Sequence, residues 1–244
     1  MTGPAIGSAR LVLYTRDSEL FYSGSTNMDE QQTRTLGAIL YNNFELLDLY
    51  GPLEMFGALP GNFNIITVSD QPGPVASTPG PRSVADYSYS DCPPLDLILL
   101  PGGFGTVEEL ENQALLSFLR ERSAQAQFTM SVCSGSAILA RAGLLDGRRA
   151  TSNKQLFQLA TQQSDKVDWV EQARWVEDGP FVTASGVSAG TDMALAVIAR
   201  LFGEEHAQLI ADFTEYQWHR DAFDDPFAKF LNAMDLDAFS KAMQ

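Results

Sequence analysis

One short segment limits the possible folds of this chain more than any other. The run from Leu95 to Leu100 is apolar except for Asp96, and it stops at Pro101-Gly102-Gly103. A strand that is apolar on both faces is typical of a parallel sheet covered by helices on both sides, whereas a half-exposed strand alternates polar and apolar residues. The run therefore predicts a parallel strand that is buried on both faces.

The rest of the chain alternates between strand and helix patterns. Strands are predicted at residues 36–41, 64–69, 95–100 and 128–132, and helices at residues 46–59, 107–122 and 136–142. Residues 167–176 and 181–184 flank a turn sequence at 177–180, which predicts a hairpin, and the chain from Ser188 onward is predicted to be mostly helical. Alternation of this kind predicts an α/β fold with a mainly parallel sheet.

Length and composition suggest how the chain is divided. Its 244 residues suit one large α/β domain or two small ones, and no low-complexity linker splits the core. Residues 1–34 are mostly polar and are expected to form a peripheral N-terminal extension. We expect one domain over residues 35–227 and a helical C-terminal tail over residues 228–244.

Charge and cysteine content argue against several classes of protein. The formal net charge of −15 is the wrong sign for a phosphate-binding surface, so nucleic acid is not expected as a partner. The sequence has no apolar run near the roughly 18–20 residues that span a bilayer, and no signal-peptide pattern. Two cysteines without a CxxC motif, together with two histidines, favour neither a disulfide scaffold nor a zinc site. We predict a cytoplasmic protein with free thiols.

Cys133 is the first candidate for chemistry. It stands between a predicted strand and a predicted helix, on a sharp turn that Gly135 leaves room for. The helix N-terminus supplies positive potential and free N–H groups, which predicts a thiol pKa below its usual value. The alternative is a small buried cysteine that packs like an alanine.

Two further loops follow strand ends, where reactive groups gather in an open parallel sheet. Asp48 is either a desolvated acid–base group with a raised pKa or a helix-start residue that caps backbone N–H groups. Gly102 and Gly103 form either a plain turn or, with the N–H of Ser134, an anion hole beside the sulfur.

The histidines count against a Cys-His hydrolase. Neither His206 nor His219 follows a predicted strand, and both fall in the polar C-terminal region that is predicted to be helical. Cys92 precedes Pro93-Pro94 in a loop, which indicates a structural role.

Five segments resemble the ThiJ/PfpI superfamily in both order and spacing. They are residues 44–52 around Asp48, residues 100–103, residues 132–135 around Cys133, residues 142–151, and residues 186–195. Within the superfamily the chain is most similar to the isonitrile hydratase branch. The resemblance runs from about Leu36 to about Phe227.

The resemblance implies a flavodoxin-like three-layer α/β/α sandwich that forms a homodimer. It implies that Cys133 is the nucleophile and Asp48 its acidic partner, with Gly102, Gly103 and Ser134 around the substrate. Isonitrile hydratases carry an Asp at the position of Asp48, whereas many other members of the superfamily carry a Glu. Ser134 keeps the hydroxyl of the Thr that is usual in this branch.

Two positions depart from relatives. PfpI-type peptidases have a His directly after the cysteine, where this chain has Ser134, and this argues against protease activity. Many relatives have a His shortly after the Ala-Thr pair at 150–151, where this chain has Ser152-Asn153-Lys154. The pocket, and with it the substrate, is therefore expected to differ near Asn153.

These residues lead to one main hypothesis and one alternative. The main hypothesis is a cysteine-dependent hydratase that adds water to a small molecule R–NC to give an N-substituted formamide, without a metal or organic cofactor. The alternative is a redox or ligand sensor in which an exposed thiol is oxidised and nothing is turned over. Regulation through a DNA-binding domain is disfavoured, because the residues after about 230 are too few for a helix-turn-helix pair.

Overall fold

The structure, a computed structural model, describes residues 33–235. Residues 1–32 of the predicted extension and residues 236–244 of the predicted tail lie outside the described residues. Within the described part no helix is long and apolar enough to cross a membrane.

The described residues form eleven strands and seven α-helices. The strands are β1 (Arg34–Ile39), β2 (Phe63–Ser69), β3 (Gly73–Ala76), β4 (Arg82–Ala85), β5 (Tyr87–Ser88), β6 (Leu97–Leu100), β7 (Phe128–Ser131), β8 (Arg149–Ala150), β9 (Asp168–Trp169), β10 (Trp175–Asp178) and β11 (Phe181–Ala184). The helices are α1 (Leu46–Gly57), α2 (Thr106–Glu109), α3 (Gln113–Ser123), α4 (Gly135–Arg141), α5 (Phe157–Thr161), α6 (Ala189–Phe202) and α7 (Glu204–Phe213).

Seven strands form the central sheet, in the order β10-β11-β7-β6-β1-β2-β5. All neighbouring pairs are parallel except β10 with β11, which form the antiparallel hairpin. Strand β6 lies between β7 and β1, and all four of its residues are buried. The prediction of a parallel strand buried on both faces is therefore confirmed.

The helices pack in two groups that flank the sheet. Helix α6 packs against α1 and α7, and α4 packs against α2, α3 and α5. Long apolar side chains of the strands are covered from both sides, which is why strands β1, β6 and β7 are almost wholly buried. The result is an α/β/α sandwich, as predicted.

The predicted helix at 107–122 is two helices, α2 and α3. The break lies at residues 110–112, where the side chain of Asn112 accepts hydrogen bonds from the backbone N–H groups of Ala114 and Leu115. An asparagine that caps a helix in this way starts a new helix, and the apolar periodicity does not reveal the break.

The C-terminal third also differs from the prediction. Only Trp175–Asp178 pairs with Phe181–Ala184, because Asp168–Trp169 pairs with β8 instead. Helical structure from Ser188 ends at Phe213, and the described part of the predicted tail contains only a 3-10 turn at Ala228–Phe230. Its backbone is satisfied by tertiary partners, such as the Asn232 N–H that donates to the Lys154 carbonyl.

Candidate active site

Three neighbouring strands bring the predicted site residues together. Asp48 lies in the first turn of α1 after β1, Gly102 follows β6, and Cys133 follows β7. A Cβ atom on Gly102 would lie 2.6 Å from the backbone nitrogen of Ser134 and 3.0 Å from Oδ2 of Asp48. Only a glycine lets the β6 loop pass this closely between the other two.

Cys133 occupies a strained turn. Its φ angle is +58°, in the left-handed region that residues other than glycine rarely adopt. The turn is held because the Cys133 N–H donates to the carbonyl of Ser185 at 2.7 Å. A Cβ atom on Gly135 would lie 2.7 Å from the carbonyl oxygens of Leu100 and Pro101, so the residue two positions after Cys133 must be a glycine.

The sulfur of Cys133 accepts a hydrogen bond from the side chain of Asn153, at 3.1 Å. The orientation of this amide is fixed, because its Oδ1 atom accepts the N–H of Leu156 at 3.0 Å and the NH₂ group must therefore face the sulfur. From the sequence, Asn153 was noted only because it lies where many relatives have a histidine. Its contact with the nucleophile was not predicted.

Asp48 is completely buried, and its two oxygens differ. Oδ2 accepts the N–H of Gly102 at 2.8 Å, whereas Oδ1 is buried without a hydrogen-bond partner. Burial raises the pKa of Asp48 well above its usual value, and the contacts with Gly102 and Cys133 oppose that shift. The contact joins α1 to the loop after β6, and neither oxygen of Asp48 accepts a backbone N–H of α1, so the alternative of a helix-capping aspartate is not what the structure shows.

The thiol pKa moves in the direction opposite to the prediction. Cys133 is only 6% exposed, and burial raises its pKa well above the usual value; the negative charge of Asp48 adds to the increase. Hydrogen bonds from Ser134 and Asn153 oppose it. The predicted low pKa was wrong because the turn that exposes helix N–H groups to the sulfur also removes the sulfur from water.

The predicted anion-hole residues already hydrogen-bond within the protein. Gly102 donates its N–H to Asp48, and Gly103 donates its N–H to Oγ of Ser134 at 3.2 Å. The Ser134 hydroxyl lies 2.8 Å from that of Thr106, which lies 3.2 Å from the hydroxyl of Tyr41. A role of Gly102, Gly103 and Ser134 in substrate binding stays a prediction.

A pocket of about 150 Å³ lies at Cys133. Its wall is partly apolar, with Phe104, Leu156, Val187 and Met234. A second pocket of about 230 Å³ adjoins it, since both are lined by Asn153, Gln155 and Val187.

None of the described residues that line either pocket is a histidine. His206 lies on α7, as expected, but His219 lies beyond the end of that helix.

A cluster of buried charged side chains lies beside the second pocket, and the sequence did not predict it. Arg174 pairs with Asp192 at 2.6 Å, and Lys154 lies 3.7 Å from Asp225. Burial lowers the pKa of Lys154 to about 8, although the charge of Asp225 opposes the shift. Asp225 also accepts the Ser185 hydroxyl at 2.5 Å. Opposite charges are thus balanced within this cluster.

Metal ligation has little support in the described part of the chain. Residues 33–235 contain no group of three His, Cys, Asp or Glu side chains placed to hold an ion. Cys92 is free and buried, and its thiol donates to the carbonyl of Pro93 at 3.3 Å.

Comparison with known proteins gives consistent matches. A model of the DJ-1/PfpI family matches residues 36–200. An isonitrile hydratase of Pseudomonas putida is 36% identical over 186 residues, which cover 74% of this chain and 78% of that protein. The HTH-type transcriptional regulator GbdR of Pseudomonas aeruginosa is 26% identical over 201 residues, and this match spans 54% of the regulator.

The fold is similar to a solved structure as well. The crystal structure of a ThiJ/PfpI family protein from Pseudomonas syringae superposes with a TM-score of 0.75 at 30% sequence identity. The match covers 92% of this chain and 96% of that one. It supports a flavodoxin-like α/β/α arrangement for the part of the chain that the structure describes.

Proposed function

Because the chain belongs to the DJ-1/PfpI family, we propose that it is a cysteine-dependent hydratase that adds water to an isonitrile, R–NC, and releases an N-substituted formamide. The observation that carries the proposal is the buried carboxyl group of Asp48, which interacts with Cys133 and has one oxygen, Oδ1, without a hydrogen-bond partner. A buried carboxylate with a raised pKa is suited to accept and return a proton near neutral pH.

The direction of the Asn153 hydrogen bond supports this assignment of roles. Asn153 donates to the sulfur, so the thiol proton must point to a different acceptor. Asp48 is the buried carboxylate that interacts with the thiol, and it keeps one oxygen without a hydrogen-bond partner, so we assign the thiol proton to it. Deprotonation at the moment of attack also removes the need for a resting thiolate, which burial disfavours.

The proposed reaction has two balanced steps. The sulfur of Cys133 forms a bond to the terminal carbon of R–NC, and Asp48 transfers the thiol proton to that carbon, which gives a thioimidate, S–CH=N–R. Asp48 then takes one proton from water as the water oxygen adds to the same carbon, and passes that proton to the nitrogen, which gives S–CH(OH)–NH–R. The carbon–sulfur bond breaks, the hydroxyl proton passes to the sulfur through Asp48, and R–NH–CHO leaves. Neither step requires a cofactor.

The test is direct. The protein is incubated with cyclohexyl isonitrile, and N-cyclohexylformamide is measured by liquid chromatography with mass spectrometry. We expect formamide from the wild type and none above background from Cys133→Ala, with Cys92→Ala as the matched control that keeps its activity. Absence of product from the wild type, or equal product from Cys133→Ala, would overturn the proposal.

The assembly and location remain part of the proposal. We extend it to a homodimer in the cytoplasm, acting on a small molecule, on the strength of the resemblance to isonitrile hydratases. Light scattering coupled to size-exclusion chromatography checks the dimer, since a dimer elutes at twice the mass of one chain.

The redox-sensor alternative is less well supported. Oxidation by peroxide depends on thiolate and exposure, and burial both hides Cys133 and raises its pKa. Peptide mapping after mild peroxide treatment separates the two functions. A sensor would show Cys133 oxidised ahead of model thiols, whereas the hydratase proposal predicts slow oxidation.

A further inference from the structure

The segment 225–234, which we call the C-terminal segment, contributes one apolar side chain to each pocket. Met234 lines the pocket at Cys133, and Phe227 lines the adjoining pocket. Both side chains remain well exposed, at 40% for Met234 and 51% for Phe227. Apolar side chains that line a pocket and stay exposed leave apolar surface for a ligand to cover.

The C-terminal segment is anchored along its length. At one end Asp225 is buried between Ser185 and Lys154. At the other end Asn232 donates its N–H to the Lys154 carbonyl at 2.7 Å, and the Met234 N–H donates to the Gln155 carbonyl at 3.2 Å. These bonds fix Phe227 and Met234 against the loop that carries Asn153, so both act as built walls of the site.

Further apolar side chains line both pockets, together with polar and charged ones, and most of the exposed surface of each pocket is apolar. Leu156 and Val187 face the pocket at Cys133, and Leu47 and Val187 face the adjoining one. Lys154 and Arg174 also line the adjoining pocket, but both are paired with buried acidic side chains, so they do not require a charged ligand. A substituent that extends from the sulfur between these walls would therefore meet mainly hydrocarbon.

We propose that Met234 and Phe227 are specificity-determining residues, which set the size of the apolar N-substituent that the site accepts. Met234 limits bulk next to the sulfur, and Phe227 limits a longer group that reaches the second pocket. This inference rests on the proposed function for the identity of the substrate, but the walls themselves can be tested without it.

The first test compares two isonitriles. The ratio of kcat/KM for cyclohexyl to that for methyl isonitrile is measured for the wild type, Met234→Ala and Phe230→Ala. Phe230 is a matched control, because it lies on the same segment and is similarly exposed but lines neither pocket. We expect the ratio to rise about tenfold in Met234→Ala, since one to a few methylenes in an apolar pocket give discrimination of this order, and to stay unchanged in Phe230→Ala.

Phe227→Ala provides a second variant. Here the ratio for n-hexyl over methyl isonitrile should rise, because only the longer chain reaches the adjoining pocket. An unchanged ratio in both Met234→Ala and Phe227→Ala would overturn the inference, as would an equal increase in Phe230→Ala.

A second readout does not depend on turnover. Alkylation of Cys133 by N-methyl and N-cyclohexyl maleimide is followed by peptide mapping, and Cys133→Ser serves as the unlabelled reference. The rate ratio of the bulky to the small reagent should rise in Met234→Ala and not in Phe230→Ala. If the wild type makes no formamide but this ratio rises, the hydratase proposal fails and the wall assignment stands. If the ratio does not change, the assignment of Met234 as a wall beside the sulfur fails whatever the reaction is.

Discussion

Asp48 and Asp225 are equally hidden from solvent, at 0% and 1% exposed, but their surroundings differ. Asp225 lies among Lys154, Arg174 and the Ser185 hydroxyl. Asp48 receives one backbone N–H at Oδ2, and its Oδ1 atom has no partner. One buried carboxylate is compensated by cations, and the other is not.

This difference indicates a structural role for Asp225 and an acid–base role for Asp48. A buried acid that is paired with cations holds segments together, and removal of one partner leaves an uncompensated charge. An uncompensated acid beside a thiol has a raised pKa and a free acceptor, which are the properties of an acid–base catalyst. The contrast therefore predicts that substitutions at the two acids affect different measurements.

The largest expected effect is loss of turnover in Asp48→Asn. The amide cannot accept the thiol proton, so the rate of formamide formation should fall by about 10²–10⁴-fold, the usual contribution of general acid–base catalysis. The folded protein should persist, because the amide avoids a buried charge. An Asp48→Asn variant that is less stable than the wild type but keeps full specific activity would contradict the assignment of Asp48 as the acid–base group.

The next effect is a loss of stability in Asp225→Asn. Breaking a buried ion pair costs about 3–5 kcal/mol, and urea denaturation should show a loss of this order in the free energy of unfolding. Asp224→Asn is the matched control, because Asp224 is the exposed neighbour and should leave the midpoint unchanged. If both variants unfold at the wild-type urea concentration, the charged cluster does not have the proposed structural role.

The pH dependence of stability sharpens the assignment of Asp48. Its pKa is raised in the folded protein, so between the ordinary aspartate pKa and the raised one the folded state binds more protons than the unfolded state. Stability from this group is present at low pH and falls as pH rises, by at most about 1.4 kcal/mol per pH unit. Urea midpoints measured across this range should fall less steeply in Asp48→Asn; an identical slope would contradict the raised pKa.

A smaller effect is expected from Asn153→Ala. The lost hydrogen bond to the sulfur should raise the thiol pKa and lower kcat/KM by about tenfold, as for a hydrogen bond to a group that becomes charged. The alkaline shift of the pH–rate profile is the informative readout, since a purely structural role would lower the rate without moving the profile.

Apolar patterning was sufficient to predict most of the fold. Strand β6 is a continuous apolar run, β1 and β7 place apolar residues within short segments between turn sequences, and the sharp turn at Cys133 follows from a strand, a small residue and a helix in sequence. The break between α2 and α3 was not predicted, because it depends on one side-chain cap at Asn112.

The site was predicted only in part. Strand ends and the family resemblance pointed to Cys133 and Asp48, since both belong to local patterns. The Asn153–sulfur contact and the pairing of Lys154 with Asp225 depend on loops that meet only in the folded chain. The direction of the thiol pKa was wrong because burial, which a sequence does not display at a single turn, outweighs the nearby helix N-terminus.

The central claim is that Cys133 acts as a covalent nucleophile and Asp48 as its acid–base partner. Rapid-quench intact-mass spectrometry of the protein mixed with an excess of isonitrile tests this claim most directly. We expect a transient increase equal to the full mass of one isonitrile, located at Cys133 by peptide mapping, absent in Cys133→Ala and formed much more slowly in Asp48→Asn. Formamide produced with no adduct on Cys133, or an adduct that forms equally fast without the Asp48 carboxylate, would contradict it.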